Sequence, residues 1–403
     1  MSDMHMQRIQ RGLSLIELMV ALVIGLTVIL VMTQFSLDFH KQKRSTVGTA
    51  ESMDEGAIAL YTLRREIMGS GYGIIDNDLT GCRIQAHEAR FDNPLTARDF
   101  SFSILPLLIT QGDPLGDFSA PDTLTVNYSN SPMISTAASL IQDFMGDEAT
   151  PLKLNSRYGF NPGDVIVLAD SPKRTNPSPL VAPRDCSMYQ VTDLPPAPDD
   201  DTIKHELTEY DHDFNSSTPK LPSRFNKGGG LGITVGGVVQ VGAKFDANKT
   251  KVFNLGKNPV SNAFTVNNGQ LIFNDGLSGT STVLLQNVVT FQAQYGLDLR
   301  AGTPLDMQVS PTDYGDNMVD ADGNGVVGNA EDWLRLGAVR VALVVRSHHP
   351  EINPDGTCSA TMAAPSWTWG SIPIASLGLD WKCYRYKTFE TKVPLRNMMW
   401  RAK

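Results

Sequence analysis

Cysteine is scarce, at four in 403 residues, and cations are outnumbered: 34 Lys and Arg against 43 Asp and Glu leave a formal net charge of −9. A nucleic-acid binder needs clustered Lys and Arg to neutralise phosphates. The chain has no such cluster, so no nucleic-acid partner is expected. Cys82, Cys186, Cys358 and Cys383 lie too far apart for a zinc knuckle. Signatures of catalysis are missing as well. There is no G-x-S-x-G elbow to present a serine nucleophile, and Gly228-Gly229-Gly230-Leu231-Gly232 lacks the Lys-Ser/Thr of a phosphate loop, reading instead as a hairpin or bulge. His348-His349, just before Pro350, reads as an exposed turn and not a metal site. No enzymatic activity is expected. No repeat of fixed period occurs, and the first apolar run is not followed by a small-x-small cleavage pattern, so that run is expected to stay in the protein.

What the chain does have is concentrated at its beginning. Leu13 to Met32 is a run of twenty residues, enough as helix to cross roughly 30 Å of hydrocarbon. Glu17 is the only ionisable group in it. An acid at that depth costs on the order of a few kcal/mol unless it finds a partner, so two readings are open: a signal anchor whose glutamate snorkels to the interface, or a functional carboxylate. Met1 to Gly12 carries Arg8 and Arg11 without an apolar run of its own, and reads as a leader. Charge does not orient the span, because Lys41, Lys43 and Arg44 beyond it outnumber those two arginines.

Gly12-Leu13-Ser14-Leu15-Ile16-Glu17 resembles the class III signal of type IV prepilins and type II secretion pseudopilins. The resemblance implies that prepilin peptidase cuts after Gly12 and that Leu13, where the family more often has phenylalanine, becomes the N-methylated first residue. It makes Glu17 the assembly carboxylate. Such a glutamate can pair with the N-terminal ammonium of a neighbouring subunit, satisfying two charges in lipid or in a filament core. A cytoplasmic N-terminus and an exported head are implied too.

Helical patterning continues beyond the membrane: Val47, Ala50, Met53, Ala57, Leu60, Leu63 and Ile67 recur at steps of three and four. Gly69-Ser70-Gly71-Tyr72-Gly73 is a stop signal. The expectation is about 55 residues of helix from Leu13, roughly 80 Å long, with two shorter helices broken near Gly48 as the alternative. From Tyr72 the pattern changes to short β-like runs: 122–128, 164–168, 233–241, 270–273, 283–295, 339–346 and 384–393. The expected fold class is α+β, a long N-terminal transmembrane and spine helix followed by a large, mainly antiparallel β-rich periplasmic head. Its expected boundaries are a leader at 1–12, a membrane half at 13–35, an amphipathic half at 36–69 and the head at 70–403. Ser171 to Asn226, rich in proline and in acids such as Asp199-Asp200-Asp201, reads as loop and not core. Trp367-Thr368-Trp369 reads as buried aromatics.

An even number of cysteines in an exported head favours two disulfides, for which three connectivities exist. Pairing Cys82 with Cys186 and Cys358 with Cys383 is preferred because neighbouring elements associate more often; four buried thiols are the alternative. Asp320-Ala321-Asp322-Gly323-Asn324-Gly325-Val326-Val327-Gly328-Asn329-Ala330-Glu331 matches the twelve-residue calcium-loop pattern. Calcium takes six to eight oxygens, and the expected ligands are the side chains of Asp320, Asp322 and Asn324, the Val326 carbonyl and a bidentate Glu331, with water at Gly328. The preceding Pro311-Thr312-Asp313-Tyr314-Gly315 is not an entering helix, so an isolated structural Ca2+ loop joining strands is expected, or else an ordinary turn. No organic cofactor is expected.

Three later segments narrow the resemblance. Leu285 to Asp298, ending in Tyr295-Gly296-Leu297-Asp298, is similar to a segment of PilW-type minor pilins, as are Val339 to Ser347 and the closing Pro394-Leu395-Arg396-Asn397. The resemblance implies a minor pilin of the type IV pilus in a Gram-negative bacterium. It would be a single-pass protein of the inner membrane that passes into the pulled filament, its head at or near the pilus tip. The implied partners are other minor pilins, the major pilin, prepilin peptidase, the inner-membrane assembly platform, and lipid around the helix. A type II secretion pseudopilin of the J class shares the signal and is the alternative, followed by an anchored periplasmic adhesin.

Overall fold

The computed structural model of the chain describes residues 14–399 except 90–96, 114–115, 133–136, 148, 172–184, 212–218, 236–237, 243, 301–307 and 354. Leu15–Gly69 is one α-helix of 55 residues, continuous through Gly48. Its first part, Leu15–Ser36, is long and apolar enough to cross a membrane and buries nothing inside the protein. The remainder is amphipathic, and Ala59, Leu63 and Ile67, four residues apart, are 3%, 0% and 0% exposed. Each fully buried Leu or Ile contributes roughly 1.5–3 kcal/mol, so this face holds the helix to the head. Gly56 lets the Phe389 ring lie against the helix, since a Cβ there would fall 2.3 Å from it. The helix ends where Gly71 (φ +81°) and Gly73 (φ +69°) turn the chain through left-handed backbone.

Three sheets make up most of the head. A four-stranded sheet runs Tyr314–Gly315, Val288–Leu297, Leu336–Arg346, Tyr386–Pro394, all antiparallel. Leu336–Arg346 is its centre and is covered on both faces. Val339, Val341, Leu343 and Val345 share a core with the helix, whereas Ala342 and Val344 lie beneath Trp367, Ile372, Leu377 and Trp381. Those covering residues belong to an excursion between the last two strands, closed by the Cys358–Cys383 disulfide. A five-stranded antiparallel sheet runs Thr280–Gln286, Gln270–Asp275, Val260–Asn267, Thr123–Tyr128, Leu107–Thr110. Its Leu124, Val126 and Phe264 complete the core under the helix.

The third sheet has six strands, in the order Arg98–Ser103, Arg83–Glu88, Cys186–Gln190, Val165–Asp170, Thr250–Gly256, Ala138–Ser139. Only the pair Arg83–Glu88 and Cys186–Gln190 is parallel among the described strands, and Cys82–Cys186 staples that pair. Alternation along Val165–Asp170 feeds two separate cores, Ile166 and Leu168 on one side and Val165, Val167 and Ala169 on the other.

Three expectations about the head need correction. The 171–226 stretch is not all loop, because Cys186–Gln190 is an interior strand with every residue buried. Its Cys-Ser-Met-Tyr-Gln composition carries no β-branched residue, and prolines on both sides hide it. The 283–295 run is two strands in two different sheets. Asn287, at φ +58°, makes the corner, a left-handed conformation that asparagine tolerates better than most residues. Likewise 233–241 is not a single strand but a hairpin of Gly232–Val235 and Val238–Val241.

The head also carries a pH-sensitive tie. Asp122, 2% exposed, accepts the Gly112 N–H at 3.1 Å and the Ala293 N–H at 2.8 Å, joining the loop before its strand to the four-stranded sheet. Burial, reinforced by the carboxylates of Asp316 and Asp113, raises its pKa to about 6, and the two N–H donors only partly offset this. A carboxyl whose folded pKa exceeds its unfolded one stabilises the fold fully below the unfolded pKa, near 4, and loses that contribution as pH rises through 6. The head is therefore expected to melt at higher temperature near pH 4.5 than near pH 7.5 through this group, and Asp122→Asn to flatten that slope. An unchanged slope in the variant would remove Asp122 as its source.

Candidate functional site

Chemistry-bearing residues are gathered at three places along the molecule. The first is the start of the helix. Gly12 and Leu13 lie outside the described residues. Ser14 is the N-cap, with φ −68° and ψ 143°, and its backbone N–H donates to Glu17 Oε2 at 3.1 Å. The glutamate thus closes a capping-box contact on its own helix. Farther along the span, Thr27 Oγ1 donates to the Ile24 carbonyl at 2.8 Å and Thr33 Oγ1 to the Leu30 carbonyl at 2.9 Å. Those hydroxyls are satisfied inside the helix, as lipid requires. Glu17 is different: one backbone N–H leaves most of a carboxylate's four lone-pair sites open to a partner.

The second place is the loop before the Leu336–Arg346 strand. Asp320, Asp322 and Asp332 bring carboxylate oxygens within 4.8 Å of one another. Oxygens bound to one calcium at 2.3–2.6 Å can stand roughly 5 Å apart at most, so the spacing fits that ion. Backbone N–H groups shape the loop. Asp320 accepts from Gly325 at 2.7 Å, Gly323 at 2.8 Å and Asn324 at 3.0 Å, and these bonds, led by Gly325, hold its carboxyl below the usual carboxylate range. The Asn324 side-chain oxygen accepts the Val326 N–H at 2.8 Å, and the Val326 carbonyl accepts from Asn329 Nδ2 at 2.8 Å.

The residue expected to close the loop is not the one that faces into it. Glu331 points out from the Ala330–Trp333 helical turn and is exposed, whereas Asp332 is fully buried and accepts the Ala321 and Gly328 N–H groups, each at 2.7 Å. Asn329 explains the choice. It caps the turn, accepting the N–H groups of Glu331 and Asp332, and its capping-box partner is Asp332. The spacing Asn329-x-x-Asp332 was a legible signal, because the third residue after an N-cap is the one that turns back toward the cap.

The third place is the distal end of the helix. Glu66, 7% exposed, accepts from Tyr128 Oη at 2.9 Å and from Asn262 Nδ2 at 3.2 Å. Asn397 Nδ2 lies 3.1, 3.0 and 3.1 Å from the Met68, Gly69 and Ser70 carbonyls. The sequence singles out Asn397 only as the end of the Pro394-Leu395-Arg396-Asn397 segment, and gives Glu66 no role. The partners of Glu66 are in distant strands and those of Asn397 at the end of the helix, hundreds of residues earlier, so no local pattern announces the contacts.

Residues 7–33 match a family model described as a prokaryotic N-terminal methylation motif. Residues 256–397 match one described as type IV pilus-assembly protein W, or PilW. The second match takes in the whole four-stranded sheet and three strands of the five-stranded one, while the six-stranded sheet lies almost entirely before it. No curated protein and no solved structure matches the chain. Together the two matches are those of a PilW-type pilin: a segment similar to a type IV pilus-assembly protein, preceded by an N-terminal cleavage and methylation signal.

Proposed function

We propose that the chain is a minor pilin that primes filament initiation as part of a tip complex of the type IV pilus. The observation that carries this reading is the single helix running from an apolar span, through its lone carboxylate Glu17, into the core of the PilW segment. Ser52 Oγ meets the Arg346 carbonyl, so the head begins about 24 Å beyond Ser36 at 1.5 Å per residue. Prepilin peptidase would cut after Gly12 and leave Leu13 methylated. The chain would then wait in the inner membrane, head in the periplasm, until other minor pilins, the major pilin and the assembly platform take it into the filament.

The test is a paired count of surface pili and secreted exoprotein in a deletion strain, with and without the wild-type chain. Loss of pili with secretion intact supports the reading. Loss of secretion with pili intact would transfer the chain to the J-class pseudopilins. No change in either would turn attention to the head as an adhesin.

The loop at Asp320, Asp322, Asn324, Val326 and Asp332 belongs to the proposal as a structural calcium site that stiffens the entry to the central strand. Trp333 reports on it, since its indole N–H donates to the Gly328 carbonyl at 3.2 Å. Calcium is expected to change tryptophan emission and raise the melting temperature with an affinity of roughly 10⁻⁴ to 10⁻³ M. Asp332→Asn should abolish both responses and Glu331→Gln should preserve them. A chain indifferent to 10 mM Ca2+, a concentration about ten times the weaker value, would end the calcium proposal.

A further inference from the structure

The last described residues close over the end of the spine helix. Leu395 is fully buried in the core beneath the helix, and its N–H donates to the Gly337 carbonyl at 2.9 Å. Met398, 1% exposed, sets its sulfur against Gly71, where a Cβ would come within 2.8 Å of it. Between these two anchors Asn397 presents its amide to the carbonyls of Met68, Gly69 and Ser70.

The last carbonyls of any helix lack intrahelical donors and carry the negative end of its dipole. Here Ser70 is 0% exposed and Met68 and Gly69 are part-buried, so water has restricted access to the three carbonyls. Other contacts on this helix end reach the first strands of the head: the Gly71 N–H donates to the Asn127 carbonyl at 3.0 Å, and Ser70 Oγ to the Pro106 carbonyl 36 residues on. Asn397 reaches it from 327 residues away.

We propose that Asn397 is a positioning residue for assembly. It locks the distal turn of the spine to the final strand, so that the spine is finished only when the last residues of the head are docked. This rests on the assembly reading above. The chemistry separates the lock from simple packing. Asparagine offers two N–H groups to the carbonyls, while an aspartate of the same shape offers none and adds like charge to the dipole end.

The experiment is hydrogen exchange on the full chain in detergent micelles, with pilus counts on the same variants. Asn397→Asp is expected to speed exchange at the Ser70, Gly71 and Tyr72 amides by roughly tenfold or more. Asn397→Ala should fall between it and the wild type, and the Val165–Asp170 strand should be unaffected. Pilus number should follow the same order at equal protein level. Exchange at the helix end equal to wild type in Asn397→Asp would overturn the lock. Faster exchange throughout the head in both variants would do so too, since that is the mark of packing alone. Faster local exchange with undiminished pili would overturn the role in assembly, provided deletion of the chain in the same strain does remove them. If it does not, the pilin reading itself has failed, and the exchange result stands apart.

Discussion

Glu17→Ala is expected to leave the chain inserted in the membrane and to cut surface pili by tenfold or more. Removing a carboxylate makes the Leu15–Ser36 span more apolar, so insertion has no reason to suffer. On the proposed function, what would be lost is the partner for a neighbour's N-terminal ammonium. Breaking one side of a buried ion pair costs about 3–5 kcal/mol because the other charge stays desolvated. Among the described residues of the single subunit the carboxylate holds only the Ser14 N–H, a contact within one helical turn that is easily exchanged for a stronger one. The measurement is pilus number against membrane-fraction protein, with Glu17→Gln beside Glu17→Ala. Glutamine keeps an acceptor and loses the charge, so it should recover little. Normal pili in both variants would leave Glu17 as nothing more than a helix cap.

The second large effect is expected from the disulfides. Cys82–Cys186 closes a loop of 104 residues and Cys358–Cys383 one of 25. In the chain-entropy account such loops are worth about 4–5 and about 3 kcal/mol. The larger loss should come from Cys82→Ser with Cys186→Ser, which frees the first strand after the spine from the interior of the six-stranded sheet. The second pair should act differently. Without Cys358–Cys383 the excursion can lift from Ala342 and Val344, exposing Trp367 and Trp381, which are now 8% and 7% exposed. Urea unfolding gives the sizes, and a red shift in tryptophan emission on removing the second pair alone gives the location. A second-pair variant with unshifted emission would mean that packing holds the excursion in place without its staple.

Much of this architecture was legible before any coordinates. The apolar run, the three-and-four spacing of Leu60, Leu63 and Ile67, and the glycines after Met68 are local signals. Each acts through neighbours one turn away, so a helix of about 55 residues from Leu13 could be read, and the structure has it at Leu15–Gly69. The strands at 122–128 and 339–346 announced themselves by β-branched composition. Connectivity of the cysteines followed a weaker rule, that adjacent elements associate; both expected pairs are present, although Cys82–Cys186 joins strands far apart in the chain.

The sequence by itself determined the spine, the lone acid of its apolar run, the point where helix gives way to sheet, and a loop rich in oxygen donors. Tertiary structure decided which residues of those segments face one another. Asp332, and not Glu331, turns inward because Asn329 caps the short helix before the central strand. Asn287 splits one apolar run between two sheets. Cys186–Gln190 becomes an interior strand because other strands flank it on both sides. Asn397 finds the helix end across 327 residues. Periodicity and capping are interactions among neighbours in the chain, so sequence displays them. A contact between distant residues exists only once both cores have closed around it, and no local pattern encodes that.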